Sequence, residues 1–320
     1  MTAALTNSTN YNSSDQDIRR MCKEGRVTEA LQLLHHTDHR HIDPFTYASF
    51  FHACVKRKAF AEGKQLHGHM NDQGFLPNIM VQSALVTLYA KCGHVAEARS
   101  IFDQMYEPDP FSWTSMIAAY CKHGPPEEAL VLLNQMKKSG VKPSHFTFAS
   151  VLPASAKLGA LKQGAGIHGE IIRSGFYSDE FVQSALVDLY AKCDSMEDAR
   201  QVFDKMTQRD VVSWNAMIAG YAQNGRLDEA VSMFENMPEP DVISWNAVIA
   251  GYAQNGDAEK AMELFQRMPL RDIASWNTVI GMCVQIGKCE EALRFFQQMQ
   301  LSGKAFICGL YILFPIESSS

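Results

Sequence analysis

The 320-residue chain reads as all-α, a right-handed solenoid of stacked antiparallel helix pairs. Three observations predict this. Four tryptophans each stand inside the same short phrase: Ser112-Trp113-Thr114, Ser213-Trp214-Asn215, Ser244-Trp245-Asn246 and Ser275-Trp276-Asn277, the last three spaced 31 residues apart. Residues 211–241 and 242–272 match at 18 of 31 positions, far beyond what shared helical composition produces. Within each block, apolar residues recur at helical spacing on both sides of a single turn signal. Such a period marks an array in which each repeat is one supersecondary unit.

From the N-terminus, residues 1–14 are expected to be disordered, and the solenoid to occupy 15–303, with a degenerate first unit over about 11–43. Units of 35 residues follow at 44–78, 110–144 and 145–179, and units of 31 at 79–109, 180–210, 211–241 and 242–272. An incomplete unit runs over 273–303, and 304–320 forms a tail without repeat character. Each unit predicts two helices. In 211–241, Trp214, Met217, Ile218 and Tyr221 line one face of the first helix. Asn224-Gly225 breaks it, as this pair does in turns. Leu227, Ala230, Val231 and Phe234 line the second helix opposite Asp228, Glu229 and Glu235, and Pro238 and Pro240 end the unit because proline lacks the N–H to continue. One hairpin cannot bury its apolar face alone, whereas neighbours stacked along an axis can.

The composition sets limits. Hydrophobic residues make up 46% of the chain and aromatics 10%, enough for a continuous core. No stretch reaches the roughly 18 apolar residues that span a bilayer. Of the eight cysteines, Cys92 and Cys193 occupy equivalent places, as do Cys54 and Cys283, and Cys22 and Cys121. Together with Cys289 and Cys308 they read as buried thiols, and no Cys-x-x-Cys pair is present for zinc or redox chemistry.

The unit lengths, SWNAMIAGYAQNGRLDEAVSMFENMPEPD, FVQSALVDLYAKCDSMEDARQVFDKM (181–206) and FTFASVLPASAKLGALKQGAGIHGEIIRSGF (146–176) together resemble plant pentatricopeptide repeat (PPR) proteins. More narrowly, the chain is similar to the subclass mixing long, short and standard repeats (PLS type), here without the deaminase-like DYW domain. The resemblance implies sequence-specific binding of single-stranded RNA in a mitochondrion or chloroplast, one base per repeat. It also implies an adaptor for RNA editing or processing, with the enzyme supplied in trans and no cofactor. Repeat readers meet unstacked bases with a few side chains per repeat.

The resemblance assigns base choice to the fifth and last residues of each unit. These are Ser83 with Asp109, Thr114 with Ser144, Ser184 with Asp210, Asn215 with Asp241, Asn246 with Asp272, and Asn277 with an unassigned partner. Ala48/Asn78 and Ala149/Asp179 of the long units have no base-reading side chain at the fifth place. By the family's pattern, units 180–272 read G-U-U, and Ser83/Asp109 adds a G three bases upstream. Asn offers a donor and an acceptor, whereas a carboxylate only accepts. The polar residues also suit helix caps. Lys56, Lys91, Lys122, Lys157 and Lys192 hold one place in five consecutive units, either as a stripe tracking RNA phosphates or as solvated charges at helix ends. The net charge of −6 favours nucleic acid only if the acids lie on the other face. Phe45, Met80, Phe111, Phe146, Phe181, Val212, Ile243 and Ala274, second in their units, are either core or base-stacking residues.

No enzymatic constellation emerges. His168-Gly169-Glu170 matches half of a deaminase zinc motif, but no Cys-x-x-Cys follows. The other class of reading is a protein-binding scaffold of the tetratricopeptide kind. It expects a 34-residue period with a Trp-x2-Leu-Gly-x2-Tyr phrase, which is missing. The N-terminus lacks the Arg-rich, acid-poor character of a transit peptide, so organellar placement rests on the resemblance.

Overall fold

The computed structural model describes residues 3–37, 42–72 and 78–302, with side chains described from Ser14 onward. Among these residues there are eighteen α-helices and no strands. The chain divides into two compact units, residues 1–171 and 172–320.

In the first, helix α1 (Ala3–Glu24) and α2 (Val27–His36) form the opening pair. There follow α3 (Pro44–Arg57) with α4 (Phe60–Asp72), α5 (Ile79–Lys91) with α6 (Val95–Asp103), and α7 (Pro110–His123) with α8 (Pro126–Lys138). The pair α9 (His145–Lys157) and α10 (Leu161–Arg173) ends it. The first helices pack in a row, α1 on α3, α3 on α5, α5 on α7 and α7 on α9. In the second unit, α11 (Glu180–Lys192), α13 (Val211–Gln223), α15 (Val242–Gln254) and α17 (Ile273–Gln285) form such a row. Their partners are α12 (Met196–Lys205), α14 (Leu227–Asn236), α16 (Ala258–Arg267) and α18 (Cys289–Leu301).

The N-terminal expectation differs from the structure: α1 begins at Ala3, where 1–14 was expected to be disordered. Ala3, Ala4 and Leu5 are strong helix formers, and neither Gly nor Pro occurs before Gly25 to stop the helix. The expected tail 304–320 and Cys308 lie outside the described residues.

From α3 onward, each first helix starts on a polar cap. Asp43, Asn78, Asp109, Ser144, Asp179, Asp210, Asp241 and Asp272 all have extended backbones and accept from the first turn that follows. Whereas the α7–α8 turn passes through extended Gly124 (φ −123°), most turns to the second helix use one left-handed residue, such as Gly225 (φ 71°). Asp194 holds the same place with φ 57°, which strains a side-chain-bearing residue.

The tryptophans are core rulers. Phe102–Trp113, Phe203–Trp214, Phe234–Trp245 and Phe265–Trp276 are edge-on pairs with centroids 4.8, 4.9, 4.8 and 4.9 Å apart. Each joins the second helix of one repeat to the first helix of the next. Such pairs contribute about 0.5–1.5 kcal/mol beyond area burial. Arg209 and Arg271 lie over Phe203 and Phe265 at 4.8 and 4.9 Å and donate to the carbonyls of those same residues. The row also needs glycine at close approaches. A Cβ on Gly220 would lie 2.8 Å from Met196 Sδ and 2.9 Å from Ala191 Cβ.

Cys22, Cys54, Cys121 and Cys283 are buried, and burial pushes the Cys22 and Cys121 thiols up to about 11. Cys92 and Cys193 are half-buried. Cys289 departs from the buried expectation and is exposed at the start of α18, on the solvent side of the first turn.

Candidate nucleic-acid interface

Because first helices lie side by side, the fifth residue of one unit faces the start of the next first helix, where the unit's last residue sits. Asn215 in α13 therefore meets Asp241, the cap of α15, although 26 residues separate them. Asn215 Nδ2 donates to both carboxylate oxygens at 3.1 and 3.2 Å. Asn246 Nδ2 donates to Asp272 Oδ1 at 3.1 Å, and Ser83 Oγ to Asp109 Oδ1 at 3.0 Å.

Capping and pairing therefore coincide in one carboxylate. Asp241 Oδ1 also accepts from the Ile243 and Ser244 amides at 3.0 and 2.9 Å, and Asp272 and Asp109 accept from Ser275 and Ser112 at 2.8 Å. An ionised carboxylate only accepts, which fixes the amide orientation: Nδ2 faces the Asp and Oδ1 faces away. The Oδ1 atoms of Asn215 and Asn246 are buried without a hydrogen-bond partner.

The remaining pairs differ. Ser184 and Asp210 are not joined: Ser184 Oγ turns to the Glu180 carbonyl at 3.0 Å, while Asp210 caps α13 through the Ser213 amide. Thr114 and Ser144 meet through a third residue. Thr147, fully buried, lies 2.8 Å from Thr114 Oγ1 and 3.1 Å from Ser144 Oγ. Sequence reasoning missed Thr147, because its only signal was a hydroxyl where other units carry the Ser of Ser-Trp. Asn277 is exposed, and its expected partner lies outside the described residues.

The second residues of the units are not core. Phe45, Met80, Phe111, Phe146, Phe181, Val212 and Ile243 stand 48–76% exposed, and Ala274 is exposed as well. Large apolar side chains thus recur in solvent at one repeat position.

Lys56, Lys91, Lys122, Lys157 and Lys192 are all exposed in the last turns of α3, α5, α7, α9 and α11. There they also complement the helix dipole. Lys157 Nζ reaches the Cys121 carbonyl, and Lys192 pairs with Asp188 at 2.8 Å. From α3 to α17 the first helices carry no acid except Glu180 and Asp188. Second helices hold acids such as Glu197, Asp204 and Glu229, with Arg200 and Arg226 as partners. Glu170 of the half-motif at 168–170 pairs with Lys137 at 2.9 Å, a structural bridge from α10 to α8.

The model of the PPR repeat family matches residues 108–157, and that of the PPR repeat matches 83–107, 184–211, 212–241, 243–273 and 274–303, together more than half of the chain. The chain belongs to the pentatricopeptide repeat family. A chloroplastic pentatricopeptide repeat-containing protein of Arabidopsis thaliana is 38% identical over 203 residues, covering 63% of this chain and 25% of its own. A mitochondrial one from the same plant is 36% identical over 207 residues, covering 63% and 32%. The chain thus spans about a quarter to a third of the length of these relatives. The fold is similar to that of the pentatricopeptide repeat protein PPR10 in complex with an 18-nucleotide psaJ RNA element, with a TM-score of 0.73, 22% identity, and coverage of 92% of this chain and 46% of that one. PPR10 from maize superposes with a TM-score of 0.55 at 19% identity, covering 92% and 54%.

Proposed function

We propose that this PPR chain binds single-stranded RNA sequence-specifically, one base per repeat, as a PLS-type adaptor that marks an organellar transcript site for editing or processing performed by an enzyme in trans. The observation that carries the reading is that the expected pairs meet: Asn215 and Asn246 each donate through Nδ2 to the last residue of their unit, Asp241 and Asp272, although 26 residues separate them. With Nδ2 engaged by the carboxylate, Oδ1 is the atom of each amide left to accept from a base. Uracil offers N3–H to such an oxygen, while cytosine offers a bare acceptor at N3. Units 180–210, 211–241 and 242–272 then read G-U-U from 5′ to 3′, with Ser184/Asp210 taking the G. The exposed second residues supply faces on which bases stack, at roughly 1–3 kcal/mol per base for aromatic ones. The exposed lysines meet the phosphates. PPR10, whose fold this chain shares, was solved in complex with an 18-nucleotide RNA element, which supports RNA as the ligand. Mitochondrial or chloroplast placement follows the relatives named for those organelles.

A gel-shift panel tests the proposal, using 8-nucleotide RNAs that hold G-U-U against permuted controls at fixed salt. Preference for G-U-U is expected. Equal binding to all RNAs overturns base reading, and binding to none leaves a protein-binding scaffold.

A further inference from the structure

In the second compact unit, charge on the first helices is confined to α11. Helices α13, α15 and α17 carry no charged side chain, whereas α11 carries Glu180, Asp188 and Lys192. Glu180 stands in the first turn, where an acid complements the helix dipole. Asp188 has no such reason to be there. It is the ninth residue of its unit, a place held by Ala219, Ala250 and Gly281 in the three units that follow. Its side chain is 23% exposed, and Oδ2 accepts from Lys192 Nζ at 2.8 Å. No hydrogen bond is described for Oδ1. As a stabiliser, an exposed pair of this kind contributes little.

The place of Asp188 on its helix says more than the ion pair does. Ser184, Asp188 and Lys192 are spaced four residues apart, so they share one face of α11, each roughly 6 Å further along the axis. Ser184 is the expected base reader and Lys192 the expected phosphate contact. Asp188 lies between them, and in a nucleotide the ribose lies between base and phosphate. Lys192 neutralises the carboxylate, so it does not repel the RNA backbone, and by engaging Oδ2 it leaves Oδ1 as the acceptor. The equivalent Thr87 of unit 79–109 is spent within the protein, on the Ser83 carbonyl at 2.9 Å and Ser115 Oγ at 3.0 Å.

We propose that Asp188 reads the sugar rather than the base: its carboxylate accepts the 2′-hydroxyl of the nucleotide bound by unit 180–210 and selects ribose over deoxyribose at that nucleotide. An ionised carboxylate only accepts, and the 2′-hydroxyl is the donor that RNA has and DNA lacks. Ala219, Ala250 and Gly281 offer no side-chain acceptor at the same place. The demand for a ribose therefore falls on the G of G-U-U and not on either U. This inference rests on the RNA-binding function proposed above.

Fluorescence anisotropy with the full chain tests it, using the RNA 5′-AGAAGUUA-3′ and two forms with a single 2′-deoxy sugar, one at the G before U-U and one at the first U. Deoxyguanosine is expected to weaken binding about tenfold, the scale of one hydrogen bond to a charged group, and deoxyuridine by less than about twofold. The deoxyuridine form controls for the altered sugar pucker, because its unit carries Ala219. Asp188→Ala is expected to bind the all-ribose and deoxyguanosine forms equally. If the parent chain binds those two forms equally while permuting G-U-U still weakens binding, sugar reading by Asp188 fails and base reading stands. Equal binding of every oligonucleotide overturns base reading and this inference together. A deoxyguanosine penalty that survives Asp188→Ala, or a variant that binds both forms more tightly by the same factor, also refutes it. The first comparison uses the parent chain, so it does not depend on any variant folding.

Discussion

Replacing Asp241 by alanine removes two things that the structure has merged. One is the N-cap of α15, where Oδ1 accepts from the Ile243 and Ser244 amides. The other is the sole described acceptor for the Asn215 amide, a side chain only 8% exposed. Loss of an aspartate cap costs about 1 kcal/mol. Leaving the buried Asn215 donor unsatisfied adds roughly 1–3 kcal/mol. The total is about 2–4 kcal/mol, concentrated where α13 meets α15. Asp241→Asn is the control, since Asn caps as well as Asp and still accepts from both amides; it is expected to lose less than about 1 kcal/mol. Urea unfolding measures the stability, and hydrogen exchange at the Ser244 amide reports the cap locally. In a cycle with Asn215→Ala, the two substitutions should couple by about 1 kcal/mol, as hydrogen-bonded neighbours do. If Asp241→Ala stays within about 0.5 kcal/mol of the parent, or the cycle is additive, the shared-carboxylate reasoning is wrong.

Further outcomes follow from the same geometry. Phe181, 67% exposed, should be replaceable by alanine with less than about 0.5 kcal/mol lost in unfolding, yet RNA affinity should fall several-fold in anisotropy titrations. The triple variant Lys56→Gln, Lys91→Gln, Lys122→Gln should flatten the plot of log affinity against log salt by about 2 in slope, at roughly 0.7 per phosphate contact on a single strand. Asp194→Gly should raise stability by about 0.5–1 kcal/mol by relieving the left-handed strain, read as a higher urea midpoint. Burial holds the His67 imidazole below the usual histidine range, and burial beside His69 does the same to His35. Below about pH 6.5 the unfolded chain therefore binds protons that the folded chain refuses, and stability should fall as pH drops from there toward the lowered folded values. Melting temperatures across pH 5–8 check this; His67→Gln should flatten the slope, and a rise in stability on acidification would contradict it.

Much of the architecture was legible because a repeat writes its own period. The Ser-Trp phrase marked the start of four first helices. The last residues of the units, expected as caps or readers, sit at helix starts because a short acceptor satisfies the amides of a first turn. The alternatives that local pattern left open were settled by neighbours distant in sequence. Phe181 and Ile243 resemble core residues by composition, and only the packing of adjacent first helices leaves them in solvent. Ser184/Asp210 and Ser83/Asp109 are the same pair in one-letter code. One is hydrogen-bonded and the other is not, because the Ser184 hydroxyl turns to its own helix at Glu180.

By itself, the sequence determined that this is a PPR array, where the first helices from α3 onward begin, and which residues occupy equivalent places, because these follow from periodicity and local backbone chemistry. Tertiary structure alone decided which of those places carry unsatisfied chemistry. Asn215, Asn246 and Asp15 each have one side engaged by a carboxylate or backbone amide from the cap of the next first helix, and the remaining oxygen has no described partner. Hydrogen-bond saturation depends on partners some 26 residues away, and no local pattern encodes it.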